Sequence, residues 1–250
     1  MPHASAFYYE SRPRIAIARP GEVGGALPLD ARWGLHPSLA QSVMPMVARG
    51  QVAFLSFAGT DDVSRSHFET QDSIELGQPM AGSRDLRSGF MNRLAGVPQG
   101  GAPIAFTPQL PLAFQGPLPV QNLALANLGR GGLNARQGAI VASMYQGTAM
   151  GAQVQEGLAL REDVQRRFAD EMQAASRNAV SARGFEQEAR RIATLMRDRY
   201  TLGFVDVGGW DTHVGQGGAT GYLANRLEEL GRGLAAFAGV LAAPIYEVSP

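Results

Sequence analysis

An aspartate and a histidine stand two residues apart in the stretch FVDVGGWDTHVGQGG, residues 204–218, directly after a short apolar run. Side chains at positions i and i+2 of an extended segment point to the same side, so Asp211 and His213 can converge. Such a pair can share a divalent metal: zinc, or a harder ion such as calcium, magnesium or manganese. The alternative is a capping aspartate beside a surface histidine, because two ligands alone are a weak metal signature. The backbone can turn sharply and approach a ligand at the surrounding glycines, which are residues 208, 209, 215, 217 and 218.

A second stretch, SRSHFETQD, combines hydroxyl, guanidinium and imidazole groups at a predicted helix start. Free backbone N–H groups and the helix dipole there suit a phosphate or sulfate, or the alkoxide of a nucleophilic Ser64 or Ser66. Arg65 could bind an oxyanion through two parallel hydrogen bonds. His67 could be a base, a metal ligand or a partner of the leaving group. The alternative is ordinary N-capping by either serine, with Glu69 near the capping-box position.

The elements that position these residues are predicted to form an α/β layer. The apolar run 51–59 has the length of a strand and precedes SRSHFETQD, and residues 202–207 form a strand before Asp211 and His213. A helix that ends at Gly77 follows the serine loop. A long helix follows the Asp-Thr-His loop, with leucines and a phenylalanine at steps of four and three from Leu223 to Leu241. Ligands of parallel sheets bind beyond the carboxyl ends of strands, so we expect both strands to run parallel in one sheet.

The rest of the chain is predicted from periodicity and turn residues. Residues 14–18 alternate like a short strand, and 36–50 form a helix with His36 packed structurally before its start. Residues 135–179 are helical, and 184–200 form an amphipathic helix. Residues 78–134 are dense in glycine and proline, and we interpret them as a loop-rich insertion or cap of a single domain rather than part of the central layer.

The composition limits which classes of function are possible. The 250 residues suffice for one sizeable domain, 1–250, and 45% are apolar. The 22 basic and 22 acidic residues cancel, so there is no electrostatic case for a nucleic-acid partner. The apolar stretches are far shorter than the roughly 20 residues of a membrane span. The absence of cysteine excludes disulfides, thiolate metal sites and cysteine nucleophiles.

Taken together, three stretches resemble one family: RWGLHPSLA, SRSHFETQDSIELG, and GGWDTHVGQGG with the helix after it. The chain resembles the uncharacterised sulfatase-like family known as domain of unknown function 1501, which is grouped with the alkaline phosphatase superfamily. The resemblance runs over most of the chain, and its motifs are specific only in combination.

The resemblance implies a three-layer α/β sandwich with a largely parallel central sheet, and metal-dependent hydrolysis of phosphate or sulfate esters. Asp211 and His213 would be a ligand pair for one metal. A serine of the 64–66 loop would be the nucleophile, and an anionic ester would be the substrate. The rival interpretation is a non-enzymatic binding or assembly protein that keeps the fold.

The sequence also departs from the family pattern. Members usually begin with a strand and an Asp-rich, Gly-rich metal loop, and they end with a Glu-Phe-Gly-Arg stretch and a later Asp-His-Gly stretch, none of which occurs here. We therefore expect an incomplete domain, an internal fragment lacking both ends and at least one set of metal ligands, and inactive in this form. Full-length members are exported to the periplasm or secreted. Without a signal peptide, this chain is expected to be cytoplasmic if it is expressed as written.

Overall fold

The computed structural model describes residues 1–63, 66–79, 82–97, 101–124, 135–167, 184–210, 212 and 214–242. The chain divides into two compact units. Unit 1 is Met1–Phe57, Arg183–Thr194 and Val207–Pro250, and unit 2 is Ala58–Ala182 and Leu195–Asp206. The prediction of a single domain stays a prediction.

The described α-helices are α1 (Ala6–Glu10), α2 (Val43–Ala48), α3 (His67–Leu76), α4 (Phe90–Ala95), α5 (Ala135–Tyr145), α6 (Gly151–Arg167), α7 (Phe185–Asp198) and α8 (Tyr222–Ala242). Short 3-10 helices span Pro37–Leu39 and Leu112–Phe114. The strands are β1 (Leu27–Pro28), β2 (Gly34–Leu35), β3 (Pro103–Ala105), β4 (Gln121–Asn122) and β5 (Leu202–Phe204). In the described part of the chain, no helix is both long and apolar enough to span a membrane.

Unit 2 is built on a three-stranded parallel sheet in the order β4-β3-β5. In the central strand, Ile104 pairs with Gln121 on one side and with Gly203 on the other. Ile104 is fully buried, as parallel strands covered on both faces require. The strand 202–207 is therefore confirmed over its first three residues. The parallel sheet and its mixture with helices confirm the α/β class.

The core of unit 2 lies beside this sheet. Met91, Ala105, Ala113 and Phe114 are buried together, and the ring of Phe204 meets that of Phe114 edge-on at 6.4 Å. Beside them, the buried amide of Asn92 donates to the carbonyls of Phe114 and Leu118 at 3.0 and 2.8 Å and accepts from the Leu118 N–H at 3.3 Å. A buried amide with these partners carries little desolvation cost.

In unit 1, other segments pack closely against α8 at two of its glycines. A Cβ at Gly233 would stand 2.2 Å from the Phe185 ring of α7, and one at Gly231 would stand 2.4 Å from the Ser42 hydroxyl. Glu229 of α8 also accepts the Phe185 N–H at 3.2 Å, which caps the start of α7. The predicted helices 184–200 and 223–241 are thus confirmed, as α7 and α8.

Two predicted strands are absent from the structure. Residues 14–18 and 51–59 form no strand, and in the second run the side chains of Phe54, Leu55 and Phe57 are 48, 81 and 93% exposed. An apolar run forms a strand only where a neighbouring backbone pairs with it and another layer covers it. Neither occurs here among the described residues, so the prediction that residues 51–59 and 202–207 share a parallel sheet is wrong.

Other elements differ in detail. The helix predicted over 36–50 is divided into the 3-10 turn at Pro37–Leu39 and α2, with Gly50 left-handed at φ 68° after it. The predicted helical stretch 135–179 contains α5 and α6, and residues 168–179 lie outside the described part. Residues 78–134 contribute β3 and β4, so this segment supplies the central strand of the sheet.

Candidate functional site

Most of the predicted site residues fall outside the described part of the chain. These are Ser64, Arg65, Asp211 and His213, while His67 is described only as the first backbone residue of α3. Their catalytic and metal-binding roles therefore stay predictions. What the structure describes is how the segments that carry them are held, one in each unit.

Ser66 is the N-cap of α3. It has extended backbone angles, and its hydroxyl oxygen accepts the Glu69 N–H at 3.4 Å. The Thr70 N–H donates to the Ser66 carbonyl at 3.0 Å. The capping alternative is thus confirmed for Ser66. An oxygen that receives a helix N–H is also in an environment that stabilises an alkoxide, so capping is compatible with the nucleophile role.

Asp62 is a residue near this loop that the sequence analysis did not single out. Its carboxylate accepts a short hydrogen bond from the Thr70 hydroxyl, one turn inside α3. This contact fixes a carboxylate beside the helix start, close in sequence to Ser64 and Ser66. The pattern Thr-Asp-Asp before the serines was a usable signal, because carboxylates are favoured near helix N-termini.

The other end of α3 is fixed by a left-handed glycine. Gly77 has φ 59°, and a Cβ at this position would lie 2.9 Å from the Cβ of Phe90. Arg93 of α4 donates to the Leu76 carbonyl at 2.9 Å, which satisfies one of the last carbonyls of α3. The predicted stop at Gly77 is confirmed, and α3 is tied to α4 within unit 2.

The loop after β5 turns at glycines, as expected. Gly209, Gly215 and Gly217 have φ values of 88, 70 and 81°, a region that favours glycine, whereas Gly208 and Gly218 do not adopt positive φ. The loop also bonds to itself and to α8. The indole of Trp210 donates to the Val207 carbonyl, and the Tyr222 hydroxyl donates to the Gly209 carbonyl at 2.9 Å.

The far side of this loop is held by His36. The ring Nε2 of His36 donates to the Gly218 carbonyl at 3.0 Å, and the ring Nδ1 accepts the Ser38 N–H at 3.2 Å. These partners favour the tautomer with its proton on Nε2. His36 is 7% exposed, so the structural role predicted for it is confirmed. That it anchors a loop 182 positions away could not be read from sequence spacing.

Basic and polar groups lie beside the first part of the loop. A Cβ at Gly209 would stand 3.2 Å from the Arg226 guanidinium, which pairs with Glu229 at 2.6 Å and stacks over the Tyr222 ring at 5.6 Å. The Thr212 hydroxyl, between the two predicted ligands, hydrogen-bonds the Gln216 side chain at 3.2 Å. In the described residues, no group of three or more His, Asp or Glu side chains could hold a metal ion.

The parallel sheet and the glycine loop that leads from it into α8 define a protein of the α/β class. The family described as "Protein of unknown function (DUF1501)" matches residues 28–243. The chain therefore belongs to this family, which confirms that part of the resemblance. Neither a curated protein nor a solved structure matches the sequence.

Proposed function

We propose that the chain belongs to a metal-dependent hydrolase of phosphate or sulfate esters with an alkaline-phosphatase-like, three-layer fold. Asp211 and His213 would bind one divalent metal, and Ser64 or Ser66 would be the nucleophile. The support is membership of the family together with the order strand, glycine-rich loop and helix that surrounds Asp211 and His213.

The observation that carries the proposal is the construction of residues 205–221. This loop follows the carboxyl end of a strand in a parallel sheet, which is where α/β proteins bind ligands. Two described residues, His36 and Tyr222, hold its carbonyls from neighbouring elements. A loop fixed at both ends lowers the entropic cost of bringing two ligands to one ion.

The residues of the chain would divide the chemistry between them. The metal, when bound, would polarise the ester and stabilise the attacking alkoxide. The serine oxygen would attack phosphorus or sulfur while its proton passes to a base, for which His67 is the candidate. Arg65 would bind two oxygens of the transferred group. The ester bond would break as the alcohol leaves with the proton returned by the base, and water would then hydrolyse the ester to the serine, which releases phosphate or sulfate and restores the hydroxyl.

The first test is metal content. The full chain, stripped and then equilibrated with zinc, manganese, calcium or magnesium, should retain metal measurable by mass spectrometry. Asp211→Asn and His213→Gln should each lose it, whereas His3→Gln, which changes a half-buried histidine outside the predicted site, should not. A wild-type chain that retains none of these metals would contradict the proposal.

Ester turnover is the second test, with p-nitrophenyl phosphate and p-nitrophenyl sulfate as substrates. The expectation that this chain is inactive as an incomplete domain stays a prediction, so turnover should be near background with every metal. Turnover clearly above background would contradict the expected inactivity. Its loss in Ser64→Ala, or in Ser66→Asn, which keeps an N-capping side chain, would then identify the nucleophile.

A binding or assembly role without catalysis is the second candidate. It is favoured by apolar side chains exposed between residues 54 and 68, which are Phe54, Leu55, Phe57, Val63 and Phe68. Apolar surface of this kind marks interaction sites in soluble proteins. This role needs no metal, so the metal measurement separates the two candidates.

A further inference from the structure

A cleft in unit 2 lies between strand β4 and helix α6. Its volume is about 510 Å³, within the range of about 300–1,000 Å³ that is common for small-molecule sites. The described residues that line it lie within 108–124 and 150–161, so the inference drawn from the cleft does not use the residues of the metal proposal.

The position of the cleft follows the rule for parallel sheets. Strands β3 and β4 run parallel, and the cleft is lined by Pro108, three residues after β3 ends, and by Leu123 and Ala124, directly after β4. Ligands of α/β sheets bind beyond the carboxyl ends of such strands. The cleft therefore occupies a place that suits a ligand on topological grounds alone.

Two polar groups of α6 that line the cleft have no partner. The Nε of Arg161 and the Oε1 of Gln153 are buried and make no hydrogen bond within the described part of the chain. The two residues stand eight positions apart, on one face of the helix. Buried N–H groups of charged side chains are nearly always paired, so an outside acceptor is expected for Arg161.

The residues that line the cleft indicate which kind of acceptor Arg161 would bind. A guanidinium offers parallel N–H donors that match two oxygens of a carboxylate, phosphate or sulfate. No acidic side chain is among the described residues that line the cleft, so its walls do not neutralise Arg161. The remaining surface includes Val120, Val154 and Leu158, which suit an apolar group.

We propose that this cleft binds a small molecule in which an oxyanion is joined to a short apolar chain, with Arg161 pairing the oxyanion. The site is independent of the metal pair. Ligand binding in the cleft is expected whether or not Asp211 and His213 bind a metal.

A glycine in the wall provides a way to block the cleft without weakening the helix. Gly157 lies on the same face of α6, and among the described residues a Cβ there would meet only the Gln121 amide oxygen, at 3.4 Å, the end of a flexible side chain. Leucine has a much higher helix propensity than glycine. Gly157→Leu should therefore fill the cleft while α6 stays folded.

The experiment is a calorimetric titration of the full chain with hexanoate, hexyl phosphate and hexyl sulfate at constant ionic strength, with inorganic phosphate and acetate as probes that lack the apolar chain. At least one hexyl compound should bind once per chain with a dissociation constant of about 1 mM or tighter. The ranking of the three hexyl compounds identifies the oxyanion.

The variants decide the location of the site. Arg161→Gln should weaken binding by roughly tenfold or more, as expected for loss of a charge-assisted pair. Gly157→Leu should abolish binding with an unchanged or higher melting temperature. Arg136→Gln, which removes an exposed arginine of α5, should leave binding unchanged. No saturable binding by the wild-type chain, or equal binding by wild type and Gly157→Leu, would overturn the proposal.

Discussion

Residues 51–76 and residues 202–242 share one order of features: an apolar run, a loop with candidate catalytic residues, and a helix. They differ in their contacts. The second segment begins with β5 in a parallel sheet and ends with α8, which packs on Phe185. The first begins with an exposed run that pairs with no described strand, and its helix α3 leaves Phe68 and Ile74 72 and 54% exposed.

The two segments differ in the backbone and side chains that contact their apolar runs, not in how apolar these runs are. The second run forms a strand because β3 supplies a backbone to pair with and Phe114 supplies a ring for Phe204 to pack on. Its loop is then held by His36 and Tyr222. The first loop depends on local contacts, chiefly the Ser66 cap and the bond from Thr70 to Asp62. We therefore expect changes in the segment 202–242, and in the residues that hold it, to be the more costly.

The largest effect is expected at the contact between α8 and α7. Gly233→Ala would place a Cβ 2.2 Å from the Phe185 ring, and overpacking of this kind costs about 1–3 kcal/mol of unfolding free energy. The matched control is Gly239→Ala on the same helix, where a Cβ would meet no atom of the described residues within 4 Å. That control should stabilise the chain by about 0.5–1 kcal/mol. Urea unfolding of both variants measures the contrast, and equal effects would refute the close packing.

The next effect concerns the anchor of the second loop. His36→Leu would leave the Gly218 carbonyl and the Ser38 N–H without their partner, at a cost of about 1–3 kcal/mol. The Trp210 indole N–H should also exchange faster with solvent, because His36 no longer anchors the loop that carries Trp210. NMR exchange of that proton is the measurement. Exchange as slow as in the wild type would mean that His36 does not hold the loop.

A smaller effect is expected at the first loop. Ser66→Ala should lower stability by about 1 kcal/mol, the usual value of an N-cap, while Ser66→Asn should be nearly neutral because asparagine also caps. Thermal melting of the three proteins makes the comparison. If alanine were tolerated as well as asparagine, the hydroxyl would not be holding the start of α3.

The smallest effect depends on pH. Burial raises the pKa of the Glu188 carboxyl, and the nearby Arg191 charge opposes part of that rise. A carboxyl whose pKa is higher in the folded than in the unfolded state stabilises the protein at pH values below the unfolded-state pKa. That contribution is lost as the pH rises through the folded-state pKa. Glu188→Gln should therefore raise the melting temperature more at pH 7 than at pH 4. A larger gain at pH 4 would contradict the sign of the shift.

Sequence periodicity predicted the long helices well. The spacing of Leu223 to Leu241 and the face of 184–200 correspond to α8 and α7, and Gly77 ends α3 as expected. Helices depend largely on local patterns, which a sequence displays directly. The strands were harder because their partners are distant: β3 pairs with β5 across nearly a hundred residues.

The candidate site was predictable only in part. Its residue types and glycines were visible in the sequence, and the positive φ angles of Gly209, Gly215 and Gly217 agree with that interpretation. The anchoring by His36 and the cleft beside Arg161 were not visible, because each depends on which distant segments the fold brings together.

The most direct test of the central claim is a crystal structure of the zinc-soaked full chain with anomalous data at the zinc edge. One anomalous peak is expected between the Asp211 carboxylate and the His213 imidazole, with zinc–ligand distances of about 2.0–2.2 Å. The peak should vanish in His213→Gln. Side chains of Asp211 and His213 that point to opposite sides of the loop, with no zinc between them, would contradict it.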